Sequence, residues 1–381
     1  MPLILRFALF FLLALMPLRG DDTPAQETSA AAAQKTSTAV EGAVEEGIPV
    51  ARFAGTPAEI GSAMGRHVAA QVGSLWEKYM EPIAEVSGGP EKLIAQSIKM
   101  DAHLPERFRE EMIAFARAAG ISYDKILTTN AFPDIYRKGA CSSFAASGAA
   151  TSDGKPLLAR NLDFFGNGVL EKTGVVFVIK PEGRKSFVTI TWPGFSGVLS
   201  GMNSDGLCCA VMEVRLGKVT TDGMPSTLLF RRVLEEASSL DEALAILETA
   251  VKVAGNNLIV IDGQGRAAVA ELGPGLFRVR RAEDGMVYST NHHRNRLPRI
   301  LRCGRYKKFE AFAEEEAGAI DAAALKKVLH SVNQGMITLQ SMIFEPDALR
   351  IHLATGVTPS TKAEYRILDF AEELRGDRES E

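Results

Sequence analysis

Short apolar runs recur through the second half of the chain, at Val175–Lys180, Ser186–Trp192, Leu207–Val214, Asn257–Asp262, Ala267–Leu272 and Leu276–Arg280. Turn-forming residues separate most of them, including Pro181-Glu-Gly183 and Asp262-Gly-Gln-Gly265, and this punctuation predicts antiparallel strands. Helical spacing interrupts the series at Ser226–Glu236 and Asp241–Ala250, each with an acceptable capping residue, and returns at Arg305–Glu316 and Ala322–His330. Upstream, Thr56-Pro57-Ala58-Glu59 combines a cap, a proline at the first helical position and a glutamate three on, so a helix starts there and runs toward Tyr79. Phe108, Met112, Ile113 and Phe115 share one face of a second helix over Pro105–Ala119. Gly61 and Gly65 imply close packing of the first helix; no Gly-Lys-Ser/Thr follows, so they form no phosphate loop.

Between these halves, Ser142–Ala150 reads as a strand, Thr151–Lys155 as a turn with Gly154 available for positive φ, and Pro156–Asp163 as the returning strand. The hairpin brings Arg160 and Asp163 back toward Cys141. A neighbouring guanidinium favours the thiolate, and an α-amino group, with a pKa of about 7.7–8.0, can act as general base for a nucleophile at its own amino terminus. A cut between Ala140 and Cys141 creates that base, and Asp163 could hold the amine by a charge-assisted hydrogen bond. Other readings stand beside this one: Cys141 as a buried small hydrophobe, and Arg160 and Asp163, on opposite faces of a regular strand, as a surface ion pair or unrelated residues.

The chain has 381 residues, 46% of them hydrophobic, enough for one sizeable catalytic domain plus an accessory segment. A net charge of -4 gives no basic footprint for nucleic acid. Arg6 precedes the apolar run Phe7–Met16, which is shorter than the roughly 18 residues that span a bilayer and resembles a secretory signal. Export to the periplasm or exterior follows, with no stable membrane insertion expected; an uncleaved anchor is the alternative. Residues 21–46 read as a disordered linker and 376–381 as a charged tail. Four cysteines raise the question of disulfides, but Cys208 and Cys209 sit in a buried-strand pattern, and a bridge from either to Cys303 has no support. No Cys-x-x-Cys or His-x-x-x-His spacing marks a metal site, and no cofactor is implied.

Cys141-Ser-Ser-Phe-Ala-Ala146, Asp153-Gly154, Arg160-Asn-Leu-Asp163, Gly201–Leu207 running into Glu213, and Thr290-Asn291-His292 occur in that order. Over roughly residues 46–370 the chain resembles the cysteine-type amino-terminal-nucleophile hydrolases of the penicillin acyltransferase-like family, related to choloylglycine hydrolases and acid ceramidase-like amidases. The resemblance implies an α+β fold, a four-layer αββα sandwich of two mainly antiparallel sheets. It implies a helical pro-segment over 47–140, a catalytic domain over 141–375, and two chains that stay associated after self-cleavage. Cys141 matches the nucleophile, Arg160 and Asp163 the residues flanking it, and Asn291 the oxyanion-hole amide. Glu213 matches the glutamate of the ceramidase-like branch, and Arg305 a later arginine. Read from the residues alone, Asn291 could instead cap a turn and Glu213 could be an exposed strand residue. The stretch between Cys141 and Arg160 is a few residues longer than in the bile-salt and ceramidase branches, so their substrates do not transfer.

The function expected is cleavage of a small-molecule N-acyl amide through a cysteine thioester. Transfer of the acyl group to an amine or thiol, a cysteine peptidase using Cys141 with His292 or His293, and a non-catalytic exported binding protein are the alternatives. Phe164, Phe165 and Trp192 are candidates to line an apolar acyl pocket.

Overall fold

The computed structural model describes residues 41–86, 88–215, 217–294 and 303–375; the expected signal segment, the charged tail and the linker up to residue 40 lie outside the described residues. Two sheets organise the chain. The larger takes the order β1 (Glu41–Glu45), β2 (Ile48–Gly55), β5 (Val175–Pro181), β6 (Phe187–Thr191), β7 (Ser200–Asn203), β8 (Cys208–Glu213), β9 (Asn256–Ile261), β10 (Ala267–Gly273) and β11 (Leu276–Arg281). The smaller takes the order β12 (Met286–Ser289), β3 (Ser142–Ala146), β4 (Leu157–Asp163), β13 (Thr338–Glu345), β14 (Arg350–Ala354) and β15 (Arg366–Asp369). The pairings are antiparallel except β2 with β5, which is parallel.

Ten α-helices accompany them among the described residues: α1 (Pro57–Leu75), α2 (Glu81–Glu85), α3 (Pro90–Asp101), α4 (Glu106–Ala119), α5 (Tyr123–Ile135), α6 (Ser226–Glu236), α7 (Leu240–Thr249), α8 (Gly304–Glu315), α9 (Ala322–Ser331) and α10 (Ala371–Arg375). A π-helical turn, Trp76–Met80, joins α1 to α2.

Alternation along the strands separates two cores. Leu158, Leu162, Met342 and Phe344 of the smaller sheet join the larger sheet and the helices from α1 to α7 in one apolar cluster. On the opposite face, Phe144, Ala159 and Ile343 pack against Phe309, Phe312, Leu325 and Leu329 of α8 and α9. The layers therefore run helix, sheet, sheet, helix, the α+β sandwich expected from the resemblance.

Local chemistry accounts for the elements around the site. The capping box at α1 is complete: Glu59 N–H donates to Thr56 Oγ1 at 3.3 Å and Thr56 N–H donates to Glu59 Oε2 at 2.8 Å. The glycines expected to permit close packing do so, because a Cβ on Gly61 would lie 2.0 Å from the Glu111 carbonyl oxygen of α4, and one on Gly65 2.5 Å from that of Phe115. Gly154 has φ +78° in the turn between β3 and β4, where Lys155 N–H donates to Asp153 Oδ1 at 3.0 Å.

Two expectations change. The linker expected to reach Glu46 ends earlier, because Glu46 (φ +49°) and Gly47 (φ +79°) form a tight turn that pairs β1 with β2. The segment before Cys141 is also more than a helical cover: β2 is an internal strand of the larger sheet.

Candidate functional site

The β3/β4 hairpin sets the core of the site. Ser142 pairs with Asn161 and Ser143 with Arg160, so Cys141, just before β3, lies beside the end of β4. Ala140 N–H donates to the Asp163 carbonyl at 2.9 Å and fastens the approach to Cys141. Arg160 is buried; its Nη2 donates to Cys141 Sγ at 3.5 Å and its Nη1 to the Val211 carbonyl on β8. The guanidinium favours the thiolate as expected, yet burial outweighs it and pushes the Cys141 thiol up.

Asp163 does not pair with Arg160 along the strand. Its Oδ1 accepts from Thr338 Oγ1 at 2.6 Å, while its buried Oδ2 takes no hydrogen bond and stands 3.7 Å from Arg305 Nη1. Burial pushes this carboxyl up to about 7 against the opposing pull of Thr338, Arg305 and Arg160. Arg305, on the first turn of α8, donates from Nη1 to the carbonyls of Ala140 (2.8 Å) and Cys141 (2.6 Å), and from Nη2 to Asn291 Oδ1 (2.9 Å). Asn291 Nδ2 donates to the Glu213 carbonyl at 2.8 Å and reaches the Gly139 carbonyl at 3.5 Å.

Glu213, weighed above as an exposed strand residue, is 9% exposed. Its Oε2 accepts from Gly139 N–H at 2.9 Å, and burial pushes its carboxyl up to about 7. The structure thus gathers Cys141, Arg160, Asp163, Glu213, Asn291 and Arg305 around Gly139-Ala140.

The two histidines make hydrogen bonds with other partners than the sulfur's. His292 Nδ1 is 3.0 Å from Thr290 Oγ1 and His293 Nε2 is 3.3 Å from the Asn256 carbonyl, whereas the sulfur contacts Arg160 and, at 4.0 Å, the Asp163 carbonyl. All four cysteines are free thiols; Cys208 and Cys209 are buried in β8. Among the described residues there is no metal-ligating cluster and no helix long and apolar enough to cross a membrane.

A predominantly apolar cavity of about 850 Å³, solvent mouth included, opens at Cys141 and Arg160. Phe164 and Trp192 line it, as expected; Phe165 does not and is 45% exposed, its carbonyl accepting from Tyr79 Oη at 2.8 Å. Much of the wall comes from before Cys141: Leu75, Tyr79, Met80, Phe132 and Asp134. The π-helical turn explains part of this, since its wider winding sets Leu75, Tyr79 and Met80 on one face. Sequence reasoning missed these residues. It also missed Asp134, whose Oδ2 accepts from Ser226 N–H at the start of α6 at 2.7 Å, and Arg137 and Arg215, which flank Glu213 Oε1 at 4.0 and 3.7 Å.

An uncharacterized protein of Archaeoglobus fulgidus is 29% identical over 261 residues, covering 59% of this chain and 44% of the relative. The chain spans less than half the length of the curated relatives it matches. Among solved structures, a Caenorhabditis elegans N-acylethanolamine-hydrolyzing acid amidase ortholog is 18% identical with a TM-score of 0.46, covering 54% of this chain and 93% of that one. Penicillin V acylase from Agrobacterium tumefaciens is 17% identical with a TM-score of 0.46, covering 61% and 87%. The model of the acyl-coenzyme A:6-aminopenicillanic acid acyl-transferase family matches residues 149–354, more than half of the chain, and the protein belongs to that family.

Proposed function

We propose that the protein is an exported amidohydrolase activated by cleavage of its own backbone before Cys141. The reading is carried by one arrangement: the thiol with Arg160 Nη2 at 3.5 Å, directly after a carbonyl that Arg305 already grips at 2.8 Å. In the first step Sγ attacks the Ala140 carbonyl carbon, the Cys141 nitrogen leaves with the thiol proton, and a thioester forms. Water then hydrolyses the thioester, giving an Ala140 carboxylate and a Cys141 with free thiol and free amine. The unbonded Oδ2 of Asp163 supports the next part, since a new ammonium needs a carboxylate partner in a buried site.

In turnover the amine takes the thiol proton, the thiolate attacks the amide carbon, and Asn291 Nδ2 with a backbone N–H stabilises the oxyanion. The protonated amine returns the proton to the leaving nitrogen, and water releases the acid from the second thioester. The family's name favours a second reading in which an amine or thiol, instead of water, takes the acyl group from that thioester.

Mass spectrometry of the purified protein tests the proposal. Two fragments breaking before Cys141 in the native protein, with Cys141→Ala whole, support it. A whole chain that is active indicates a cysteine peptidase, and one that is inactive a binding protein. Loss of one oxyanion donor typically costs about 2.7–4 kcal/mol, so Asn291→Ala lowers kcat by hundreds-fold.

A further inference from the structure

The segment entering Cys141 is held group by group. Arg305 donates to the Ala140 carbonyl at 2.8 Å, and Arg215 Nη2 and Asn291 Nδ2 reach the Gly139 carbonyl at 3.4 and 3.5 Å. Gly139 N–H donates to Glu213 Oε2 at 2.9 Å. The other carboxylate oxygen, Oε1, is buried without a hydrogen bond, its flanking guanidinium nitrogens standing off at 3.7 Å or more. Gly139 fits closely on one side: a Cβ there would lie 3.2 Å from Glu213 Oε2, while the Phe164 ring at 3.7 Å is at ordinary contact distance. Gly139 and Glu213 both border the apolar cavity.

In the self-cleavage step, Ala140 is the acyl group that passes to the sulfur. Its seat, with Gly139 behind it, is therefore shaped for an acyl half already in position to react. Once the bond to Cys141 is broken and the segment withdraws, Glu213 is left as a buried carboxyl group lacking its N–H donor, and refilling that position relieves a desolvation cost.

We propose that Glu213 selects the substrate: its carboxylate accepts an N–H of the acyl half, placed one residue back from the reacting carbonyl. The preferred substrates are then amides of N-acylated aminoacyl or peptidyl groups with a small residue in the place of Gly139. This rests on the amidohydrolase reading above. Sγ attacks the acyl carbonyl carbon, the amide nitrogen leaves as an amine with one proton, and water converts the thioester to acid and thiol.

The test uses the full native protein and two p-nitroanilides, acetyl-glycyl-alanyl and its depsipeptide acetoxyacetyl-alanyl, which differ only in replacing the glycyl N–H by oxygen. Measured at about pH 8, above the value of about 7 to which burial pushes Glu213, a hydrogen bond to a charged group predicts that kcat/KM falls about ten- to a hundredfold on that replacement. Glu213→Leu brings the ratio of the two rates toward one, and Glu213→Gln keeps part of it; mass spectrometry verifies that each variant is cleaved. Should neither variant be cleaved, the native ratio decides alone. Equal rates for the two probes, or hydrolysis of hexanoyl p-nitroanilide but of neither probe, overturn the assignment of Glu213 and leave the amidohydrolase reading standing. Hydrolysis of no anilide by a cleaved enzyme overturns both.

Discussion

Two glycines in α1 have opposite expected responses to the same substitution. Helix propensity alone favours alanine over glycine by about 1 kcal/mol at either Gly61 or Gly73. At Gly73 no atom beyond the adjoining backbone of its own helix lies within 4 Å of the added Cβ, so that gain stands unopposed. At Gly61 the Cβ would sit 2.0 Å from the Glu111 carbonyl oxygen and 2.8 Å from its carbon, and ordinary contact starts at 3.4 Å. The helices would have to part by about 1.4 Å, and the obstacle is backbone, with no rotamer to turn aside. Overpacking of this kind costs roughly 3 kcal/mol, the upper end of the usual range. Set against the propensity gain, Gly61→Ala loses about 2 kcal/mol while Gly73→Ala gains about 1 kcal/mol. At roughly 2–4 °C per kcal/mol for a large domain, calorimetry should place the first about 4–8 °C below the parent and the second about 2–4 °C above it. A Gly61→Ala protein as stable as the parent, or a destabilised Gly73→Ala, refutes the reasoning.

Arg231 of α6 is buried, holding Glu111 of α4 at 2.5 and 2.6 Å and Glu235 at 2.7 Å. Arg231→Met strands Glu111 and should cost about 3–5 kcal/mol in urea unfolding, whereas adding Glu111→Leu recovers part of the loss. Asp163, raised to about 7 from 3.8, binds its proton more tightly folded than unfolded, so it lowers stability as pH rises from 4 to 7. Asp163→Asn should flatten that slope in denaturation midpoints measured across the window; an unchanged slope counts against the burial argument. Cys303, half-buried at the start of α8, is lowered to about 6 because hydrogen bonds from His292, Thr290 and the Tyr306 N–H, with Arg305, outweigh burial. Iodoacetamide at pH 7 should label it ahead of Cys208 and Cys209, which burial pushes up, as peptide mass spectrometry would show.

Elements were legible in the sequence where a local rule acts alone. Thr56-Pro-Ala-Glu59 marks the start of α1 because a capping box involves only its own residues, and the runs behind β5, β6, β8, β9 and β10 sit between clear turns. β1 was hidden because its acidic residues read as linker, although Glu46-Gly47 carries the turn signal, and β2 because the segment from residue 47 on read as helical. β13 was missed because Thr338, Gln340 and Ser341 are polar yet buried. Ordered motifs made the site legible, but its geometry was not. Arg160 and Asp163 lie three apart on one strand, and only their distant supports, Val211 of the larger sheet for one and Thr338 of the neighbouring strand β13 for the other, give them their separate surroundings. Asp134 and Tyr79 belong to helices whose sequence shows no chemistry, and only tertiary packing brings them to the cavity.

The parallel pairing of β2 with β5 has a consequence for any attempt to produce the part from Cys141 onward alone. A gene covering only residues 141 onward would leave the flank of β5 unsatisfied and strip one wall from the apolar cavity. Exposed strand edges and apolar surface invite aggregation. The front portion completes both the larger sheet and the cavity wall, and synthesis as one polypeptide brings the two parts together.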